Sequence, residues 1–176
     1  MVNPTLAELS FMPYLDEAGH ITATHAGKIG VYAIYNEAQA LQFVGYSRDI
    51  YVSLKEHLVR RPTQCYWLKV HTIDRPNRTV LEEIRHDWLA EQNAVPPGNA
   101  DDATAWTQAI DATQSMTPEE HAAYAASDEV GKIKTLKQVA RRIEAEILGI
   151  LQERGVQTPL RFDPKLKEEG KLSLKP

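Results

Sequence analysis

Cysteine is almost absent from this sequence, and long apolar runs are missing altogether. The single Cys65 excludes an intrachain disulfide, and it does not combine with the scattered histidines into the spacing of a zinc site. No stretch approaches the roughly 18 apolar residues of a membrane span. The N-terminal MVNPTLAELS lacks a basic region followed by an apolar run, so no secretory signal is expected. We therefore predict a cytoplasmic protein without a membrane segment.

Basic residues are missing from residues 99–130, which carry seven Asp or Glu. Residues 131–176 have the opposite balance, with 11 Lys or Arg against six Asp or Glu. The net charge of −4 for the whole chain therefore averages an acidic and a basic segment. Such asymmetry indicates segments with different partners. The alternative is an acidic linker beside a solvated helix face.

The residue pattern predicts an α/β (α+β) domain, with a small mixed or antiparallel sheet flanked by helices and a C-terminal helical extension. Runs of β-branched and aromatic residues predict strands at 29–36, 40–46 and 65–73. Ser47 is the expected N-cap of a helix that ends near Arg60, before Pro62. A second helix is expected over 79–92, and the PPGN that follows stops it.

The C-terminal half is expected to be helical. Residues 100–116 are predicted to be a loop, and Thr117-Pro118-Glu119-Glu120 is a strong helix start. A long helix is predicted over 129–154, and the tail from Arg161 is expected along the surface. The apolar stripe of the long helix consists of Ile133, Leu136, Ala140, Ile143, Ile147 and Ile150. Such a stripe packs on its own domain or, alternatively, forms a homodimer through residues 133–150.

Two tripeptides on neighbouring predicted strands carry a family resemblance. Gly30-Val31-Tyr32 is followed, after ten residues, by Phe43-Val44-Gly45 and then by a serine, a helix and His57. This arrangement resembles the GIY-YIG nuclease family, whose name records the two tripeptides. The resemblance covers about residues 27–99.

Three further stretches narrow the resemblance to one branch of that family. They are LQFVGYSRDI, the Cys65 segment before a strand, and PPGN followed by Trp106. Together they are similar to the nuclease-like domain fused to monothiol glutaredoxins in plant chloroplasts, and free-standing relatives are expected in cyanobacteria. The Cys-Gly-Phe-Ser of a glutaredoxin does not occur here. The resulting domain prediction is an N-terminal extended segment at 1–26, a GIY-YIG-like domain at 27–99, an acidic linker with a short helix at 100–128, and a long helix with a basic tail at 129–176.

The resemblance implies roles for particular residues. Members of this family cut a phosphodiester with tyrosine hydroxyls that handle water, a glutamate that binds a divalent metal, and an arginine that pairs with the phosphate. Tyr32 and His57 are thereby implied as catalytic residues, and Glu82 or Glu83 as the ligand of Mg²⁺ or Mn²⁺. The implied substrate-binding residues are Gly30, Phe43, Gly45, Ser47, Arg48, Ser53, Lys55 and Asn99.

The sequence departs from the family pattern at two positions. Phe43 keeps an aromatic ring but has no hydroxyl, so it cannot move a proton. Ser53 stands where the family has its phosphate-binding arginine, and a hydroxyl carries no charge. Arg48, Lys55, Arg60 and Arg61 are the nearby candidates for a substitute. Each candidate also has an interpretation without catalysis. Tyr32 would then be an ordinary half-buried strand residue, and Glu82 and Glu83 would be solvated residues on a helix surface.

Three functions are compatible with these residues. The first is a weak, metal-dependent endonuclease that nicks DNA. The second is a catalytically inactive module that binds nucleic acid or protein on the same frame. The third, suggested by Cys65 and by the glutaredoxin association, is a redox-linked or iron–sulfur-linked partner of a glutaredoxin or of another protein.

Overall fold

The computed structural model describes residues 2–176 and divides the chain into two compact units. The first unit runs to Thr107 and includes Val156–Thr158, and the second consists of Gln108–Gly155 and Pro159–Pro176. Within residues 2–176, no helix is long and apolar enough to cross a membrane. The four predicted domain segments and the cytoplasmic location stay predictions.

The first unit is built on one antiparallel sheet. Its strands are β1 (Met12–Pro13), β2 (Ile29–Tyr35), β3 (Leu41–Ser47) and β4 (Trp67–Ile73), in the spatial order β1–β4–β2–β3. Its helices are α1 (Ile50–Arg60), α2 (Arg78–Ala90) and α3 (Ala103–Thr107), with 3-10 turns at Leu6–Glu8, Ala23–His25 and Pro97–Asn99. The predicted α+β class, a small antiparallel sheet flanked by helices, is confirmed.

The central strand β2 separates the core from the candidate site. Side chains alternate across a strand, so Val31 and Ala33 lie on one face of the sheet and Tyr32 on the other. The Val31 face packs against α2 through Leu81, Ile84 and Trp88. The opposite face carries Tyr32 towards α1, where its hydroxyl meets His57. Helix α2 therefore covers the core on one face of the sheet, and α1 places His57 beside Tyr32 on the other face.

Helix α1 begins two residues later than the sequence suggests. The prediction of Ser47 as N-cap is wrong, because the side chain of Asp49 accepts the amide of Val52 at 3.3 Å. Ser47 instead ends β3, and its hydroxyl donates to the Asp49 carbonyl at 2.8 Å. Both residues are good caps by composition. The strand pairing of Ser47 with Gly30 decides between them, because it keeps Ser47 in the sheet.

The second unit is more ordered than the sequence suggests. It contains β5 (Ile110–Asp111), a 3-10 turn at Ala112–Ser115, α4 (Pro118–Ala126), α5 (Glu129–Glu153), α6 (Pro164–Lys167) and β6 (Lys171–Leu172). The expected loop at 100–116 is wrong, since α3 and β5 lie within it. The expected surface tail is also wrong, because β6 pairs with β5 and Leu172 is fully buried. The capping box at Thr117 is confirmed.

The apolar stripe of α5 is only partly buried. Ala140, Ile143 and Ile147 are buried, whereas Ile133 is 43% exposed. Helix α5 packs against α4, α6 and the turn at Ala112–Ser115 within its own unit. The predicted packing on the chain's own domain therefore accounts for the middle of the stripe. A homodimer through residues 133–150 stays a prediction.

Candidate functional site

A cavity of about 320 Å³ lies beside the Tyr32 face of the sheet. Strands β2 and β3, helices α1, α2 and α3, and the turn at Pro97–Asn99 all contribute to its wall. Its lining residues are Tyr32, Phe43, Gly45, Tyr46, Ser53, Glu56, His57, Arg60, Arg85, Gly98, Asn99, Ala103 and Thr107. Residues far apart in sequence thus converge on one pocket, and most of them are polar or charged.

Tyr32 and His57 form a hydrogen-bonded pair in this cavity. The Tyr32 hydroxyl lies 2.8 Å from Nε2 of His57, and both side chains are buried. Burial, and to a smaller extent the positive charge of Arg60, lower the pKa of His57 to about 3 against the opposing hydrogen bond of the Trp106 backbone. Burial also raises the pKa of Tyr32 above its usual value. Both groups are therefore neutral at pH 7, with the Tyr32 hydroxyl bound to the imidazole.

Aromatic rings surround the His57 imidazole. The rings of Phe43 and Trp106 are stacked, with centroids 5.3 Å apart and an interplanar angle of 2°. The His57 ring lies 4.7 Å from Phe43 and 5.6 Å from Trp106. Phe43, which has no hydroxyl, thus packs against the His57 ring. These contacts explain both the burial of the imidazole and the direction of its pKa shift.

Two glycines of the tripeptides are explained by close packing. A Cβ on Gly30 would lie 2.2 Å from the carbonyl oxygen of His71, on the neighbouring strand β4. A Cβ on Gly45 would lie 2.9 Å from the Tyr32 hydroxyl and 2.6 Å from the Phe43 ring. Gly30 does not line the cavity, so the glycine is explained by the close approach of strand β4 and not by the site. Gly45 lines the cavity and leaves room for Tyr32.

Two arginines supply the positive charge that Ser53 lacks. Arg60 stands seven residues after Ser53 on α1, so both lie on one helix face. The Arg60 guanidinium donates to the Trp106 carbonyl at 3.2 Å, and its side chain is only 10% exposed. Arg85 of α2 donates through Nε to the Val44 carbonyl at 3.3 Å. Ser53 itself lines the cavity and donates to the Ser47 hydroxyl at 2.7 Å.

The carboxylates are distributed differently from the predicted pattern. Glu56 lines the cavity and lies 3.8 Å from Arg60. Glu82 lies beside the cavity, where it accepts from Arg78 at 2.8 Å and from the Tyr46 hydroxyl at 3.1 Å, and these bonds lower its pKa. Glu83 faces a separate cavity that His71 and Asp74 also line. Metal binding by Glu82 or Glu83 stays a prediction.

A dedicated metal cage is absent from the described part of the chain. Residues 2–176 contain no group of three or more His, Cys, Asp or Glu side chains that could hold a metal ion. Mg²⁺ commonly needs only one or two carboxylates when substrate phosphates and waters complete its coordination. Glu56, which lines the cavity, fits that smaller requirement, and Glu82 is a second candidate because it is hydrogen-bonded to the cavity residue Tyr46.

The other predicted residues divide between the cavity and its surroundings. Asn99 lines it, and its side-chain amide makes two 2.8 Å hydrogen bonds to the Val44 backbone. Ser47 and Arg48 line a neighbouring cavity. Lys55 lines neither cavity and lies over the Tyr51 ring, 5.2 Å from its centroid.

Sequence reasoning missed Arg85, Glu56 and Tyr46 as cavity residues. Glu56 precedes His57 and stands three residues after Ser53, so helical spacing was a usable signal for it. Arg85 follows the buried Ile84 at the edge of the apolar face of α2, which gives a weaker signal. Tyr46 follows the second tripeptide directly, but nothing in the sequence indicated which cavity it would border.

Cys65 is fully buried, and its thiol lies 3.6 Å from the His57 carbonyl. The redox alternative depended on an exposed, reactive cysteine. The buried position instead favours a packing role for this side chain.

Comparison with known proteins gives one partial relationship. No protein-family model matches the chain. The chain is 36% identical over 99 residues to the chloroplastic bifunctional monothiol glutaredoxin-S16 of Arabidopsis thaliana. The match covers 54% of this chain and 32% of the plant protein, so the chain spans about a third of that relative. The chain is thus a partial relative of a chloroplast monothiol glutaredoxin, as the sequence suggested, and its assignment to the GIY-YIG family stays a prediction.

Proposed function

We propose that the chain is a GIY-YIG-like endonuclease that nicks DNA slowly in the Tyr32–His57 cavity. The observation that carries this proposal is the Tyr32–His57 hydrogen bond in a cavity that Arg60 and Arg85 also line. Ser53 cannot supply a positive charge for the phosphate, and Arg60 and Arg85 provide that charge from two other positions.

The two guanidinium groups favour an anion in the cavity. Arg60 and Arg85 outnumber the single lining carboxylate, Glu56. A guanidinium donates hydrogen bonds in a planar geometry that matches phosphate oxygens, and partial burial strengthens the interaction. Asn99 is held by the Val44 backbone, and its amide donates to the same Val44 carbonyl as Arg85 does. A phosphodiester is the ligand that this combination suits.

Tyr32 and His57 provide a route for a proton. When water attacks the phosphorus, its proton passes to the Tyr32 oxygen while the Tyr32 hydroxyl proton passes to Nε2 of His57. The leaving oxygen takes its proton from solvent. The low pKa of His57 makes this transfer unfavourable. Negative charge that develops on the phosphate during attack raises the pKa of the imidazole and so favours the transfer. The proposed enzyme is therefore slow.

A divalent cation fits beside this phosphate. Glu56 or Glu82 would hold Mg²⁺ or Mn²⁺ together with substrate oxygens. When bound, the ion would neutralise charge on the phosphate as the bond breaks. The sequence-based candidate Glu83 faces another cavity and serves as a matched control for Glu82.

A second candidate is a catalytically inactive module that binds nucleic acid or a protein partner in the same cavity. It is favoured by the neutral state of the Tyr32–His57 pair, since a buried imidazole with a pKa of about 3 is a poor base. A glutaredoxin remains a candidate protein partner, because the relative of this chain carries that name.

The test is nicking of supercoiled plasmid with Mg²⁺ and with Mn²⁺. The wild type is compared with Tyr32→Phe, Glu56→Gln, Glu82→Gln and Glu83→Gln, all purified identically. We expect metal-dependent nicking that falls by about 10²-fold in Tyr32→Phe, because the hydroxyl that transfers the proton is lost. Glu56→Gln or Glu82→Gln should weaken the metal dependence, and Glu83→Gln should behave as wild type.

Equal activity in all five proteins would contradict the proposed nuclease. Salt-dependent DNA binding without turnover would support the binding module instead.

A further inference from the structure

A second cavity adjoins the first and has its own positive charge. It measures about 380 Å³ and is lined by Ser47, Arg48, Asn77 and Arg78, among others. No Asp or Glu belongs to its lining. Arg48 is exposed at the end of β3, and Arg78 is the first residue of α2. The two guanidinium groups reach this cavity from different elements of the first unit.

Tyr46 separates the two cavities. It belongs to the lining of both, and its half-buried ring packs against the core under the sheet. Its hydroxyl donates to Glu82 at 3.1 Å, and Glu82 also accepts from Arg78 at 2.8 Å. Through these bonds the ring is fixed in orientation between the cavities. A fixed aromatic ring beside cationic groups is the arrangement on which proteins stack unpaired bases.

The charge of this double cavity contrasts with that of the whole chain. Four guanidinium groups line the two cavities, against the carboxylates of Glu56 and of the adjacent Glu82. The complete chain has a net charge of −4. Positive charge is thus concentrated where cavities with low-dielectric walls focus the electrostatic field. A polyanion would therefore be attracted to this double cavity although the chain as a whole is acidic.

We propose that the second cavity binds the nucleotide next to the reacting phosphate, in a strand that is unpaired at that point. One phosphate lies with Arg60 and Arg85, the neighbouring phosphate lies with Arg48 and Arg78, and the base between them stacks on Tyr46. A paired base is held inside a duplex and cannot reach a ring that stands between two phosphate sites. This inference rests on the proposed function and names its substrate class as DNA with a single-stranded or unpaired segment.

The experiment measures binding by fluorescence anisotropy of the full chain in EDTA, which prevents cleavage. The probes are a labelled oligothymidine single strand and a duplex of the same length. We expect the single strand to bind more tightly. Tyr46→Ala should weaken that binding by about tenfold while Tyr46→Phe retains it, because the stacking face is kept. Arg48→Ala should reduce the slope of log affinity against log salt by about 0.7.

Two control variants make the outcome decisive. Lys55→Ala removes a cation that lines neither cavity and should bind as wild type does. Arg85→Gln tests the first cavity alone. If Arg85→Gln weakens binding while Tyr46→Ala and Arg48→Ala do not, the second site is wrong and the proposed function stands. Equal affinity for duplex and single strand also overturns the inference.

If the wild type binds neither probe, the proposed function and this inference fail together. Circular dichroism checks that Tyr46→Ala is folded. If Tyr46→Ala is unfolded, the second site is tested by the surface variant Arg48→Ala and by the preference of the wild type for single strands.

Discussion

Between pH 7.5 and pH 5 the wild-type chain is expected to lose about 2 kcal/mol more of its free energy of unfolding than a His57→Gln variant loses. The reason is the neutral, buried imidazole of His57. Its pKa is about 3 in the folded chain and about 6.5 when the imidazole is exposed by unfolding. As the pH falls below 6.5, the His57 imidazole becomes protonated in the unfolded chain but stays neutral in the folded chain. Stability contributed by His57 is therefore complete above pH 6.5 and is lost progressively towards pH 3.

Urea unfolding at a series of pH values measures this difference. The other ionisable groups are the same in both proteins, so their contributions cancel when the two curves are subtracted. His86→Gln, at an exposed position on α2, is the control and should follow the wild-type curve. Parallel curves for the wild type and His57→Gln would contradict the buried, neutral state of His57.

Trp88→Ala is expected to lower the free energy of unfolding by about 3–5 kcal/mol. Trp88 is fully buried in the core between α2 and the sheet, in the cluster that contains Val31, Ala33 and Leu6. Its indole also donates to the Pro4 carbonyl at 2.9 Å, so the N-terminal segment loses an anchor. The substitution removes apolar contacts and leaves a cavity that the rigid sheet cannot fill.

Chemical denaturation followed by far-ultraviolet circular dichroism measures this effect. Glu83→Ala lies on the exposed face of the same helix and should change stability by less than about 0.5 kcal/mol. If Trp88→Ala is no less stable than Glu83→Ala, the packing described for α2 is wrong.

The sheet and the first two long helices were predictable because their patterns are local. The strand β2 is a run of β-branched and aromatic residues, and α1 and α2 have apolar positions at helical spacing. The start of α1 was missed because Ser47 and Asp49 are equally good caps, and only the pairing of Ser47 with Gly30 separates them. The C-terminal tail was missed for a related reason, since a two-residue strand such as β6 exists only through its partner β5.

The resemblance named some of the residues that line the cavity, but it also named residues that lie elsewhere, and it did not indicate which arginines line the cavity. Tyr32, His57, Phe43 and Asn99 converge on one cavity, as their shared association with the family implied. Arg85 was missed because the direction of a residue at the edge of an apolar face depends on how the helix is rotated against the sheet. The same rotation sends Glu82 towards Tyr46 and its neighbour Glu83 to a separate cavity.

In the proposed nuclease, Arg60 and Arg85 provide the phosphate-binding charge that Ser53 lacks. The most direct measurement is the plasmid-nicking rate of the wild type, Arg85→Gln, Arg85→Lys, and a double variant that combines Arg85→Gln with Ser53→Arg. We expect metal-dependent nicking by the wild type and a fall of about 10²–10³-fold in Arg85→Gln. Arg85→Lys should retain part of the rate, and Ser53→Arg should restore part of it by placing a guanidinium in the same cavity. No nicking by the wild type, or a wild-type rate in Arg85→Gln, would contradict this role of the two arginines.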